Sequence, residues 1–181
     1  MKIFGIGLSR TATTSLTTIL RKGFGLDVCH FPSPHTFSME KFSSDPTYLK
    51  IDGITDIQAS IAYKQLYKLY PHSKFILTVR DEREWLSSIE THWKAIIGLK
   101  GEKLAPPVKK IVTAMWGQLE WSRENVLSVY RKHLQEVEHF FKHKNNLLIV
   151  NLCSDANTIA KLEKFLDRKS SLQSIPWENK K

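Results

Sequence analysis

Cysteine is scarce in this chain: two thiols, Cys29 and Cys153, among 181 residues. Two cysteines make no disulfide framework and no metal-ligand cluster, and they suit a reducing, cytoplasmic compartment. Each sits in or beside an apolar strand-like run, so both read as buried thiols. Long apolar runs are missing too. No window approaches the ~18 apolar residues that a membrane span needs. The opening Met1-Lys2-Ile3-Phe4-Gly5-Ile6-Gly7-Leu8 is too short an apolar run for a signal peptide. No small-residue cleavage site follows it, so it reads as a buried strand. Repeats, low-complexity tracts and clear linkers are also absent, and the length suits one domain over residues 1–181. Acidic residues are outnumbered, 18 against 27 basic ones, which leaves a net charge of +9. That balance favours an anionic partner: nucleic acid, a membrane surface or a phosphorylated small molecule. A nucleic-acid partner finds no support in a helix-turn-helix, an aromatic stacking motif or a zinc site.

What is present is an alternation of short apolar runs and longer helical patterns. Lys2 to Leu8, Leu26 to Phe31, Tyr48 to Thr55, Lys74 to Val79 and Leu147 to Leu152 read as strands. Between them, Thr13 to Phe24, Ile57 to Tyr70, Asp81 to Trp93, a long stretch from Val126 to Phe141, and Ala156 to Leu166 have helical spacing. Trp85, Trp93 and Trp116 read as core or lid residues. Gly98 to Pro107 reads as a loop, within a possible lid near 96–120. Continuous apolar strands between helices imply a three-layer α/β sandwich, a central, mostly parallel sheet of about five strands flanked by helices. Ligands of such sheets sit beyond the carboxyl ends of the strands, so the strand-to-helix turns are where chemistry is expected.

The first such turn is Gly7-Leu8-Ser9-Arg10-Thr11-Ala12-Thr13-Thr14-Ser15-Leu16. A strand, a loop of small and hydroxyl residues and then a helix is the layout of a phosphate site, where backbone N–H groups and the helix dipole attract an anion. Five hydroxyls, on Ser9, Thr11, Thr13, Thr14 and Ser15, add donors. Against the pattern G-x4-G-K-[ST], Gly7 fits, Ala12 replaces the second glycine, and Thr13 stands where a lysine should be. A nucleotide kinase needs that lysine on its phosphates. Here the cation, Arg10, comes earlier. The dinucleotide pattern G-x-G-x-x-G fails as well, because Arg10 occupies its third glycine.

With these residues the chain resembles the sulfotransferases of the P-loop-like fold. Their 5′-phosphosulfate loop reads roughly Pro-[Lys/Arg]-Ser/Thr-Gly-Thr-[Thr/Lys]-Ser/Trp-Leu, and Ser9 to Leu16 aligns with it without a gap. The closest likeness is to the branch whose chains begin G-x-G-x-S/G-R-T-G-T-x-S-L. His30-Phe31-Pro32, the helix around Tyr130 to Phe141 and the tail Pro176-Trp177-Glu178-Asn179 extend the likeness over nearly the whole chain. Two departures stand out: Ala12 for a glycine and Ser9 for a proline.

The resemblance implies a donor, 3′-phosphoadenosine 5′-phosphosulfate, held by Ser9, Arg10, Thr11, Ala12, Thr13, Thr14 and Ser15, with adenosine 3′,5′-bisphosphate as product and no metal required. It implies further that Arg80, at a strand's carboxyl end, and Ser88, eight residues on, hold the 3′-phosphate. A guanidinium fork suits that dianion. Arg10 would stabilise charge on the leaving phosphate. A histidine base in the family's Lys-Thr-His-Leu-Pro context aligns with Asp56 in Ile54-Thr55-Asp56-Ile57-Gln58. Asp56 is therefore the first choice of general base and Asp52 the second, with Asp56 equally suited to capping the next helix. His30, His35 and His92 are in reserve, and a lone histidine at a strand end is more often structural. The acceptor is a small molecule or glycan carrying a hydroxyl or amine. The competing readings are a divergent P-loop kinase and a non-catalytic nucleotide-binding module.

Overall fold

The computed structural model describes residues 1–34, 38–98 and 104–176. The chain forms two compact units, Met1–Arg80 with the described residues from Asn146 onward, and Asp81–Asn145.

The first unit is built on a parallel sheet of five strands, β1 (Ile3–Gly5), β2 (Val28–His30), β3 (Gly53–Thr55), β4 (Lys74–Thr78) and β5 (Leu147–Val150). Their spatial order is β2-β3-β1-β4-β5, every neighbouring pair parallel. This is the α/β sheet expected from the alternating pattern. Strand alternation splits its side chains between two faces. Ile3 and Ile76 join Leu16, Ile19, Leu20, Val28, Val150 and Leu162 in one buried cluster. Helix α1 (Thr13–Thr18), the π-helical segment Ile19–Gly23 that continues it, and α8 (Thr158–Leu166) supply the helical part of that layer. Phe4 and Phe75 face the other way, with ring centroids 5.2 Å apart. They meet Phe42 of α2 (Met39–Ser44) and Tyr67 of α4 (Ile57–Leu69). A parallel sheet buried on both sides needs such near-continuous apolar strands.

Two expectations for this unit are corrected. The strand expected over Tyr48 to Thr55 is confined to Gly53–Thr55, and its first half is helix α3 (Pro46–Lys50). Asp45 caps α3 by accepting from the Thr47 N–H, and Pro46 at the first turn has its φ preset for a helix. The Lys2 ammonium closes the other end, donating to the carbonyls of Tyr48, Leu49 and Ile51. Neither cysteine is fully buried. Both are half-buried free thiols.

The second unit holds α5 (Glu82–His92), a π-helical segment (Trp93–Gly98), α6 (Pro106–Trp116) and α7 (Arg123–Phe141). Its core is aromatic. Trp85 stacks on Tyr130 at 4.1 Å, and Trp93 meets Trp116 edge-on at 5.8 Å. The three tryptophans at 85, 93 and 116 are thus core residues, and the Trp93 indole N–H donates to the Leu119 carbonyl. Much of the stretch expected as a lid is helix α6, which starts at the Pro106-Pro107 pair and ends where Gly117 turns left-handed at φ 76°. Residues 99–103 of that stretch lie outside the described residues.

Gly53 tests the sheet directly. A Cβ there would lie 1.7 Å from the Ile3 carbonyl oxygen, which is backbone and cannot yield. Gly53→Ala is expected to destabilise the fold by about 3 kcal/mol or more in urea unfolding. Gly25→Ala, at φ 63° but with open space around it, is expected to lose only about 1 kcal/mol, the left-handed strain.

Candidate functional site

Four consecutive strands, β2, β3, β1 and β4, end side by side, about 5 Å apart. Their first residues beyond the sheet include Phe31, Asp56, the 6–12 loop, and Val79 followed by Arg80. The sheet order therefore gathers on one edge most of the residues singled out in the sequence.

The loop after β1 is locked to β4. Ile6 N–H donates to the Ile76 carbonyl. At Gly7 the chain runs so close to β4 that a Cβ would sit 1.9 Å from Thr78 Oγ1. The Thr11 hydroxyl donates to the Leu8 carbonyl at 2.7 Å and meets Thr78 Oγ1 at 2.6 Å. Ser60 Oγ donates to the Gly7 carbonyl. Arg10 and Ala12 both have positive φ, 72° and 69°. Such alternation curls a backbone into a concave nest of N–H groups suited to anions. Ala12 is in the left-handed helical region, with ψ 33°. That conformation accounts for glycine in the related motif and shows that this chain adopts it despite a methyl group.

The hydroxyls divide unevenly. Ser9, Thr11, Thr13 and Ser15 are buried. Thr11 is turned into the protein, and Thr13 and Ser9 donate toward Asp56. Thr14 alone among them is half-exposed. The expectation of five hydroxyls facing a ligand is thus too generous, because a tight loop uses its own donors to hold its shape.

Asp56 is the most unusual residue on this edge. Its backbone, φ 80° and ψ −162°, lies in a region essentially reserved for glycine, a strain of order 1–3 kcal/mol. Its side chain makes no cap bond to the next helix. Instead it accepts from Ser9 Oγ at 3.1 Å and lies 3.6 Å from His30 Nε2. Of the two roles open to Asp56 from sequence, the usual cap bond is not made, and only the Ile57 N–H at the very start of α4 donates to the carboxyl. Burial pushes the Asp56 carboxyl above the ordinary aspartate range, opposed by the His30 charge and by hydrogen bonds from Ser9, Ile57 and Thr13. Burial also pulls His30 below the ordinary histidine range, opposed by Asp56. Both shifts disfavour the charged forms. The His30 side chain is 25% exposed and that of Asp56 13%, so the pair is partly open to solvent.

His30 is held by a ring of threonines. Nδ1 lies 2.9 Å from Thr55 Oγ1 and 3.2 Å from Thr17 Oγ1, and Nε2 lies 3.2 Å from Thr14 Oγ1. Sequence reasoning held His30 in reserve and missed Thr17 and Thr55. The available signal was Thr17 four residues after Thr13, on the same helical face.

Arg80 is half-buried and two residues beyond β4, where the ladder continues through the Val79 N–H to the Val150 carbonyl. It leaves the sheet beside the loop because β1 and β4 are neighbours. Ser88 and His92 are half-buried on α5 of the second unit. His35 lies outside the described residues. Asp52 precedes β3, at the opposite edge of the sheet from the loop, where its carboxylate accepts from the Asp27 N–H at 2.7 Å. The second choice of base is therefore a structural residue. Among the described residues no group of three His, Cys, Asp or Glu is placed to hold a metal ion, and no helix is long and apolar enough to cross a membrane.

The five-stranded parallel sheet, with a loop-to-helix turn after its central strand, is consistent with a P-loop-like α/β domain. A family model described as a sulfotransferase domain matches residues 2–181, and the chain belongs to that family. Membership supports sulfuryl transfer as its general activity. No curated protein matches the chain significantly.

The strain at Ala12 gives a test of the loop. Ala12→Gly removes a left-handed penalty of about 1–2 kcal/mol and adds unfolded-state entropy worth about 0.4–1 kcal/mol. The expected net stabilisation is about 0.5–1 kcal/mol, read as a rise of about 1–4 °C in Tm.

Proposed function

We propose that the chain moves the sulfuryl group of 3′-phosphoadenosine 5′-phosphosulfate to a hydroxyl or amine of a small-molecule or glycan acceptor. The observation that carries this reading is the row of groups along one sheet edge: the His30–Asp56 pair, the Arg10 loop and Arg80, at the ends of four consecutive strands. A ligand with phosphates at two ends fits a row with a cationic residue at each of two neighbouring strand ends. The curled backbone from Arg10 to Ala12 fits a 5′-phosphosulfate, and the Arg80 guanidinium fits a 3′-phosphate dianion.

The bound donor supplies an activated sulfur with a phosphate leaving group. The chain's own residues supply the rest. Arg10 and the loop N–H groups stabilise negative charge growing on the leaving phosphate. Asp56 takes the acceptor's proton, and His30 Nε2, 3.6 Å from Asp56 Oδ2, is where that proton can pass on. A carboxylate whose pKa is raised by burial is a better base than an ordinary aspartate. The two free, half-buried thiols fit a cytoplasmic setting, which we include in the proposal.

Calorimetry tests the donor. Adenosine 3′,5′-bisphosphate is expected to bind without metal, and Arg80→Ala to weaken it at least several-fold. Binding of ATP with magnesium in place of the bisphosphate would turn the reading to a kinase. Asp56→Asn is expected to abolish sulfate transfer while leaving bisphosphate affinity within about twofold, and an unchanged rate would remove Asp56 from the mechanism. The same variant has a stability signature. Because the folded chain binds the Asp56 proton more tightly than the unfolded chain, the stability from that proton is present at low pH. It is lost as pH rises from the ordinary aspartate value of 3.8 through the raised folded one. Asp56→Asn should therefore gain stability over the wild type with rising pH, and a gain confined to low pH would contradict the raised pKa.

A further inference from the structure

The hydroxyls around His30 decide which of its nitrogens carries hydrogen. Thr17 Oγ1 donates to the Thr13 carbonyl at 2.9 Å. A carbonyl only accepts, so this bond uses the one proton Thr17 has. At the 2.7 Å contact between the Thr17 and Thr55 hydroxyls, Thr55 is then the donor and uses its own proton. Both hydroxyls therefore face His30 Nδ1 as acceptors. Nδ1 carries the hydrogen, and in the neutral ring Nε2 is bare. Its lone pair faces the Thr14 hydroxyl at 3.2 Å and Asp56 Oδ2 at 3.6 Å. The half-exposed Thr14 lies two residues beyond Ala12, at the start of α1, and its hydroxyl bonds His30.

We propose that Thr14 is a positioning residue that couples the acid–base pair to the donor site. Without donor, its hydroxyl proton occupies the Nε2 lone pair of His30. With donor, the same hydroxyl turns to an oxygen of the phosphosulfate, and Nε2 is left open to the proton that Asp56 draws from the acceptor. This inference rests on the donor site proposed above. The exchange breaks one O–H···N hydrogen bond and makes one O–H···O bond, and the hydroxyl keeps its proton throughout. An anionic oxygen is the stronger acceptor. A helical threonine has two accessible χ1 rotamers, so one rotation suffices. The order of events follows: the proton path is completed only once the donor is seated.

The charged groups facing His30 are Asp56, beyond β3, which favours the protonated ring, and Arg21, on the π-helical segment, which opposes it. Nitrogen NMR titration of the histidines tests the coupling, with His30 assigned by His30→Gln. Wild type, Thr14→Val and Thr14→Ser are each titrated free and saturated with adenosine 3′,5′-bisphosphate. A hydroxyl donated to Nε2 favours the neutral ring. The free-state pKa of His30 is therefore expected to be higher in Thr14→Val than in wild type, and restored in Thr14→Ser. On saturation the upward shift is expected to be larger in wild type than in Thr14→Val, because only wild type also loses the hydrogen bond. Equal free-state values, or equal shifts on saturation, overturn the proposal. Thr14→Ala carries the same comparisons should Thr14→Val not fold. Calorimetry on the same samples separates the two readings. A wild type that fails to bind the bisphosphate removes the donor site and this inference together. Normal binding with equal shifts removes the coupling alone.

Discussion

The contact between Gly7 and Thr78 governs the carboxyl edge of the sheet. The loop passes β4 with no room for a Cβ, and the Thr11 and Thr78 hydroxyls meet at 2.6 Å above it. Loop and strand end are thereby held as one piece, two residues from Arg80. The chain then has to turn from Gly7 into α1 within a few residues, which puts positive φ on Arg10 and Ala12. A side-chain hydroxyl that holds this turn cannot also face a ligand. In the donor site proposed above, the hold on an anion therefore lies in the curled backbone and in Arg10 more than in the many threonines.

A second constraint acts one strand over. Asp56 is held in a glycine-like conformation without forming the helix cap that an aspartate there would ordinarily make. The strain directs its carboxyl to Ser9 on the loop and to His30 on β2, so one side chain bridges three strand ends. Burial disfavours the charged form of each partner, His30 and Asp56 alike. In the proton path proposed above, the threonines around His30 set the direction, because they leave Nε2 without hydrogen on the side of Asp56 and the loop.

How much of this could be read beforehand varied with the physical range of each feature. The strand Lys74–Thr78 and the helices Ile57–Leu69 and Arg123–Phe141 came close to their expected bounds, because their apolar periodicity is local and strong. Helix α3 was read as strand because Tyr48, Leu49 and Ile51 look like a β run. Asp45 and Pro46 are what turn that run helical. Helix α2 was overlooked, a single short element capped by Ser38. At the site, Asp56, Arg80 and the loop were legible as strand-end residues. Asp52, four residues before Asp56, was not separable from it, since only the strand between them sends the two carboxylates to opposite edges.

By itself the sequence determined the α/β alternation, the family likeness carried by Ser9 to Leu16, and the strand ends as the place for chemistry, because these depend on short-range spacing and residue type. Tertiary structure decided the strand order, and with it the meeting of His30 and Asp56 from strands 25 residues apart in register. It also decided which hydroxyls are turned inward and which nitrogen of His30 is bare. Those outcomes depend on distances between segments remote in sequence, and such distances exist only once the sheet has paired and the side chains have packed.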